Sequence, residues 1–243
     1  DYLRRDSFFT GVSEGVVGTD RLIKMLDVVD DNLVVEEKGV YSVESFIVAR
    51  RIMYWQVYLH KSVVAADFML VQILLRAKAL IRGGSSLFAS PALLYFLKNK
   101  VTIEDFQSEE IVSLFAGLDD VDVMGAIKVW QRHEDRVLSM LCQKLVNRVL
   151  FKVNIQPEPF DLRSIEKRKT VLQKELGLND DEIQYFVIHQ KLVNSAYSQK
   201  NRGIQLLQKD GSLTDVALAS DQLNISALAA PVEKYCLVAP RLS

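Results

Sequence analysis

Between Val43 and Ile81 the chain runs for about 40 residues without a glycine or a proline, and Gly83-Gly84 ends the run. At 1.5 Å per residue such a stretch is a helix about 55 Å long, a length suited to the spine of a domain or to part of a subunit interface. Around it the pattern from Asp1 to about Asn147 is helical nearly throughout, with start signals at Thr19, Ser42, Ser90-Pro91, Ser108 and Asp119. The chain begins on "DYLRRDSFFTGV", where Tyr2, Leu3, Phe8 and Phe9 place large side chains on one stripe and Gly11 supplies a stop. No cap precedes that stripe, so the sequence reads as the later part of a longer protein. Within the helical body, "NLVVEEKGVYS" gives two short β-branched runs around Glu37-Lys38-Gly39, which predicts a small β-hairpin near 33–41.

After residue 148 the composition changes. "VLFKVNI" reads as a strand, Pro157 and Pro159 as a loop, and "LRSIEKRKTVLQKEL" as an exposed helix closed by Gly177. "EIQYFVIHQ" and "GIQLLQKDGSL" follow as strands, the second running into a turn at Asp210-Gly211. One or two short helices through Leu228 and a last strand, "VEKYCLV", complete the order β-α-β-β-α-β. The expected fold is therefore a mainly helical body, 1–147, followed by a smaller α+β lobe, 148–243, of ferredoxin-like βαββαβ order.

Charge and cysteine content exclude several classes. Thirty Lys and Arg nearly cancel 31 Asp and Glu, a formal charge of −1, so no global basic field draws the protein onto nucleic acid or anionic lipid. Cys142 and Cys236 both stand in apolar runs, where a free thiol packs as a small hydrophobe, which suits a reducing cytoplasm. The longest apolar run, "VVAADFMLVQILL", is broken by Asp67 and is too short to span a bilayer.

Self-contained catalytic motifs are scarce. His60, His133 and His189 are scattered, and none stands in a metal-binding spacing. "GVSEGVVG" has neither the spacing nor the flanking Lys-Ser or Lys-Thr of a phosphate-binding loop, and no Gly-x-Ser-x-Gly occurs. What stands out is "ARRIMYWQVYLHK". At 100° per residue Arg50, Tyr54, Tyr58 and Lys61 fall within about 80° of arc, lining one face over about 16 Å. A guanidinium, two phenols and an ammonium in a row suit a phosphorylated aromatic ligand; the same row also serves as a solvated or interface surface. His60 points away from this face.

Read together, "DYLRRDSFFTG" and, some 40 residues later, "ARRIMYWQVYLHKSV" resemble the HD-domain phosphohydrolases of the deoxynucleoside triphosphate triphosphohydrolase (dGTPase-like) group. The first has the form Asp-Tyr-(two residues)-Arg-Asp and the second Arg-(seven residues)-Tyr-x-His-Lys. "TDRLIKMLDVV" and the hairpin are also similar to that family, so the resemblance covers residues 1 to 80. It implies a metal-dependent hydrolysis of dNTP to deoxynucleoside and triphosphate, with a divalent metal (Mn, Mg, Fe or Zn) held by ligands upstream of Asp1 and none held by this chain. It further implies that Arg50 and Lys61 bind the triphosphate, that Tyr2 and Asp6 contact the deoxyribose, with Asp6 on its 3′-hydroxyl, and that Tyr58 lies along sugar and base. Tyr54 takes a position where the family often has a His, and His60 also matches a family position. The implied partners are a deoxynucleotide or other phosphorylated small molecule and further copies of the chain in a homo-oligomer; neither a membrane nor nucleic acid is expected. The competing expectation is a non-catalytic module for nucleotide binding or oligomerisation.

Overall fold

In the computed structural model, which describes residues 2–194, 197, 203–219 and 231–242, helices dominate the first part of the chain and mixed α and β elements follow. The helices are α1 (Tyr2–Thr10), α2 (Thr19–Lys24), α3 (Val40–Met53), α4 (Lys61–Arg82), α5 (Pro91–Lys98), α6 (Glu109–Ala116), α7 (Asp120–Trp130), α8 (Arg136–Val146), α9 (Leu162–Leu176), α10 (Asp180–Ile183) and α11 (Val216–Ala219). The strands are β1 (Leu26–Val29), β2 (Asn32–Glu36), β3 (Lys152–Gln156), β4 (Ile188–Asn194), β5 (Gln205–Leu207), β6 (Leu213–Asp215) and β7 (Val232–Ala239). A helical body with a smaller α+β part is the architecture expected from the sequence.

The chain forms two compact units. The first comprises 1–63, 156–158 and 191–235; the second comprises 64–155, 159–190 and 236–243. The units thus alternate along the chain, and none of the junctions falls at the change of composition at 148.

In the first unit a four-stranded sheet has the order β1-β2-β5-β6. Strands β1 and β2 are antiparallel, with Val28 opposite Leu33 and Leu26 opposite Val35, and β2 runs parallel to β5 through Val35 and Leu206. Val35, Val43, Ile47, Leu206 and Val216 form the core beneath. Gly39 makes this packing possible: a Cβ there would lie 2.6 Å from Val35 Cγ1 and 2.9 Å from Met25 Cβ.

In the second unit, Met69, Ile73, Ile127, Trp130, Leu138 and Leu141 are fully buried. Ser90 caps α5 by accepting from the Leu93 N–H, with Pro91 in the first turn, and Asp119 forms a capping box with Asp122 at α7. Gly177 ends α9 in the left-handed region, φ 63°. Cys142 is buried here and free, and desolvation pushes its thiol up to about 12. Cys236 is likewise buried and free. Among the described residues no helix is long and apolar enough to cross a membrane.

Four expectations are corrected. The 55 Å helix does not exist: the chain passes from α3 into a π-helical segment, Tyr54–Tyr58, closed by Leu59 N–H on the Tyr54 carbonyl at 2.7 Å, and α4 starts afresh at Lys61. Tyr-Trp-Gln-Val-Tyr is a poor helix former because aromatic and β-branched side chains crowd the preceding turn, and Trp55 is drawn onto the Lys234 ammonium, 3.9 Å from its ring centre. The hairpin is also displaced. Its turn is Asp30-Asp31, both left-handed (φ 49° and 58°), and Glu37–Gly39 is a 3₁₀ turn leading into α3.

Third, the ferredoxin-like arrangement fails on strand pairing. Strands β3, β7 and β4 form one sheet in that order, whereas β5 and β6 join the hairpin in the other. Fourth, α1 does not bury its aromatic stripe: Leu3 and Ser7 face inward while Phe8 and Phe9 are exposed. The helix expected through Leu228 is described only as α11, and the rest of that span, like Asp1, lies outside the described residues.

Candidate functional site

Five of the six candidate residues, Tyr2, Asp6, Arg50, Tyr54 and Tyr58, come together in the first unit. Helix α1 supplies Tyr2 and Asp6 one turn apart, α3 supplies Arg50, and the π segment supplies Tyr54 and Tyr58. The Tyr58 hydroxyl donates to Asp6 Oδ2 at 2.6 Å across a sequence separation of 52 residues. Arg50 Nε donates to the Tyr2 hydroxyl at 3.3 Å, and the Arg50 guanidinium lies 5.1 Å from the Tyr54 ring centre. The rings continue the contact: Tyr54 meets Tyr58 edge-on at 5.2 Å, and Tyr2 meets Tyr58 at 6.3 Å.

The π segment is part of how this is achieved. An extra residue in the turn re-aims the side chains that follow it, and such segments recur at functional sites. The 100° spacing expected for the row therefore does not apply beyond Tyr54. Lys61 opens α4 after the break and is exposed; the structure does not bring it into hydrogen-bond contact with the other five among the described residues. His60 is exposed as well, its Nδ1 accepting from the Ser62 N–H at 3.3 Å, where it serves the start of α4.

Arg5 is the participant that sequence reasoning passed over. Its Nε donates to Asp6 Oδ1 at 2.7 Å, so each carboxylate oxygen of Asp6 holds one donor. The signal was only its adjacency to Asp6, and neighbours on a helix seldom face each other. The Arg5 guanidinium, and after it the Tyr58 hydroxyl, hold the Asp6 carboxyl below its ordinary range. Burial, followed by the Asp6 carboxylate, raises the Tyr58 phenol above its ordinary value, so it stays protonated at neutral pH. A carboxylate oxygen has two lone pairs, so Asp6 can accept a further hydroxyl while keeping both present partners. A cleft of about 870 Å³, lined by Arg4, Arg5, Phe8 and residues 16–21, opens beside α1.

Chemically the group is equipped to bind a ligand. It offers cations, phenols and an acceptor carboxylate. Among the described residues no cluster of three or more His, Cys, Asp or Glu could hold a metal ion.

Residues 17–80, which include the π segment and Arg50, match the model of the HD associated region. The structure resembles a phosphohydrolase from Bacteroides thetaiotaomicron with a TM-score of 0.85 and 47% identity, covering 99% of this chain and 60% of that one. A hypothetical protein from Aquifex aeolicus shares the fold, with a TM-score of 0.56 and 24% identity over 99% of this chain and 53% of its own. The uncharacterized protein YwfO of Bacillus subtilis is 30% identical over 90% of this chain and 50% of its own length. An uncharacterized protein of Methanocaldococcus jannaschii is 24% identical over 69% of this chain and 30% of its own. The chain thus spans half or less of these two relatives. Residues 17–80 are thus similar to the HD associated region, and nearly the whole chain is similar to a phosphohydrolase.

Proposed function

We propose that this chain supplies the substrate-binding part of an HD-domain phosphohydrolase of the dGTPase-like kind, which hydrolyses a dNTP to deoxynucleoside and triphosphate. The observation that carries the reading is the Tyr58–Asp6 hydrogen bond with Arg50 on Tyr2 and Tyr54. Two motifs about 50 residues apart, each similar in form to a motif of that group, meet in one place.

On this reading Arg50 grips a phosphate, and Tyr2 and Tyr58 pack on the sugar. Asp6 accepts the 3′-hydroxyl on a remaining lone pair. Lys61 acts as a mobile point charge that reaches the outer phosphates, in keeping with its exposed, flexible side chain. The divalent metal that the resemblance implies is held by residues other than the described ones, and the part of this chain is to bind and orient the substrate. A homo-oligomer in the cytoplasm is included in the proposal.

The test is incubation of the protein in its full natural length with Mn²⁺ and each of the four dNTPs, separating products to tell triphosphate from pyrophosphate and monophosphate. Deoxynucleoside with triphosphate bears the proposal out; no turnover with metal bound removes it and leaves the binding module. Arg50→Ala is expected to weaken dNTP binding by about 1.5–3 kcal/mol, the loss typical of a charge-assisted contact, measured by titration calorimetry. Unchanged affinity would count against the assignment of Arg50.

A further inference from the structure

A second surface, in the other unit, is built differently. Helix α6 carries Ile111, Val112, Leu114 and Phe115, yet none of its eight residues is buried. Phe115 is 55% exposed while its ring stays fixed edge-on between Phe96 at 5.9 Å and Phe106 at 5.3 Å. Ile103 before the helix and Val121 after it are 80% and 76% exposed. Ile111 and Leu114 are half-buried, whereas Val112 and Phe115, three residues apart, leave a second apolar face of the helix uncovered among the described residues.

Charge says what the partner is. From Val101 to Ile127 there are seven acidic residues, Glu104, Asp105, Glu109, Glu110, Asp119, Asp120 and Asp122, and no Lys, Arg or His, in a chain whose formal charge is only −1. The Thr102 and Ser90 side chains hold the Glu104 and Asp122 carboxyls below their ordinary values. The two ends of the apolar ridge are therefore flanked by fixed negative charge.

The geometry points to this face as the docking site for a basic amphipathic helix of a partner protein. Apolar side chains at positions i, i+3, i+4 and i+7 lie along Phe115, Val112 and Ile103, and Lys or Arg beside them meet the carboxylates. The acidic rim steers association and rejects an acidic helix; the ridge supplies the buried area.

The probe is a fluorescein-labelled synthetic helix of Leu and Lys with Leu at that spacing, titrated into the full chain by anisotropy at low salt. A Leu/Glu helix of the same spacing and a scrambled Leu/Lys peptide are the controls. The expected result is micromolar binding of the amphipathic Leu/Lys helix alone. The surface variant Glu109→Lys/Glu110→Lys should weaken it about tenfold or more, and Phe115→Ala independently by a similar factor. Equal binding of the scrambled peptide, unchanged affinity of the charge variant, or no binding overturns the inference. So does self-association of the unliganded chain, read by sedimentation, that the charge variant abolishes, because a second copy would then be the occupant through a basic helix such as α9.

Discussion

Trp130→Ala is expected to destabilise the second unit by about 3–5 kcal/mol, the range for deleting a large aromatic from a core. Trp130 is 1% exposed at the end of α7, and its indole Nε1–H donates to the Phe88 carbonyl at 2.9 Å. The substitution therefore opens a cavity and also leaves a carbonyl without its donor, a further cost of about 1 kcal/mol. Spread over a chain of this size, the loss lowers the midpoint of thermal unfolding by roughly 10 °C or more. Trp130→Phe keeps most of the volume and forfeits the N–H, so it should cost well under half as much. Urea unfolding of both variants checks the order, and an alanine variant within 1 kcal/mol of the parent would show that the site collapses to fill the space.

Asp135→Ala should cost about 3 kcal/mol, because one carboxylate performs two tasks. It accepts from Arg76 Nε at 3.0 Å and Nη2 at 2.6 Å, and it caps α8 by accepting the Leu138 N–H at 2.8 Å. The side chains of Arg76 and Asp135 are only 19% and 15% exposed, and the guanidinium also lies over the Tyr185 ring. Removing the acid leaves a poorly solvated cation without its partner, which costs more than the pair contributes, together with the loss of a cap.

The same group sets a pH dependence. Burial pushes the Asp135 carboxyl up, but the Arg76 guanidinium and the Leu138 N–H outweigh it and leave it below its ordinary 3.8. A carboxyl depressed by folding adds stability that is complete above its unfolded value and is lost as pH falls through its folded one. The stability gap between the parent and Asp135→Asn, which keeps the cap oxygen, should accordingly narrow below about pH 3.8. A gap that stays constant down to pH 2.5 would mean that the carboxylate charge contributes nothing.

How much of this was legible in the sequence depends on the range over which each interaction acts. Ser90-Pro91 and Asp119 start their helices where the sequence places them, and Gly177 and Gly211 turn the chain in the left-handed region. These are decisions of one residue and its nearest turn. Thr19 and Ser42 were less informative: α2 begins on Thr19 with Gly18 as cap, and α3 begins at Val40, so Ser42 lies inside it. A hydroxyl marks a helix start only where the backbone leaves an N–H for it. The candidate site was legible as residue types and spacing, because Tyr2, Asp6, Arg50, Tyr54 and Tyr58 do meet. Its geometry was not: an ideal helix carried through Tyr54–Tyr58 puts Lys61 in line with Arg50, and the chain does not follow an ideal helix there.

The sequence by itself determined the local grammar of this protein: helices ahead of α+β, two thiols placed in apolar surroundings, and a pair of motifs whose charged and aromatic groups meet. Only the tertiary structure decided that β5 and β6 join the hairpin rather than β3, β4 and β7, that the long helix breaks at a π turn, and that Arg5 serves Asp6. The reason is physical. Caps and turns are settled by energies acting within one turn of chain, which sequence spacing displays. Strand partners, and the helix distortions tied to contacts such as Trp55 with Lys234, are settled by groups far apart in the chain, whose meeting depends on all the packing between them.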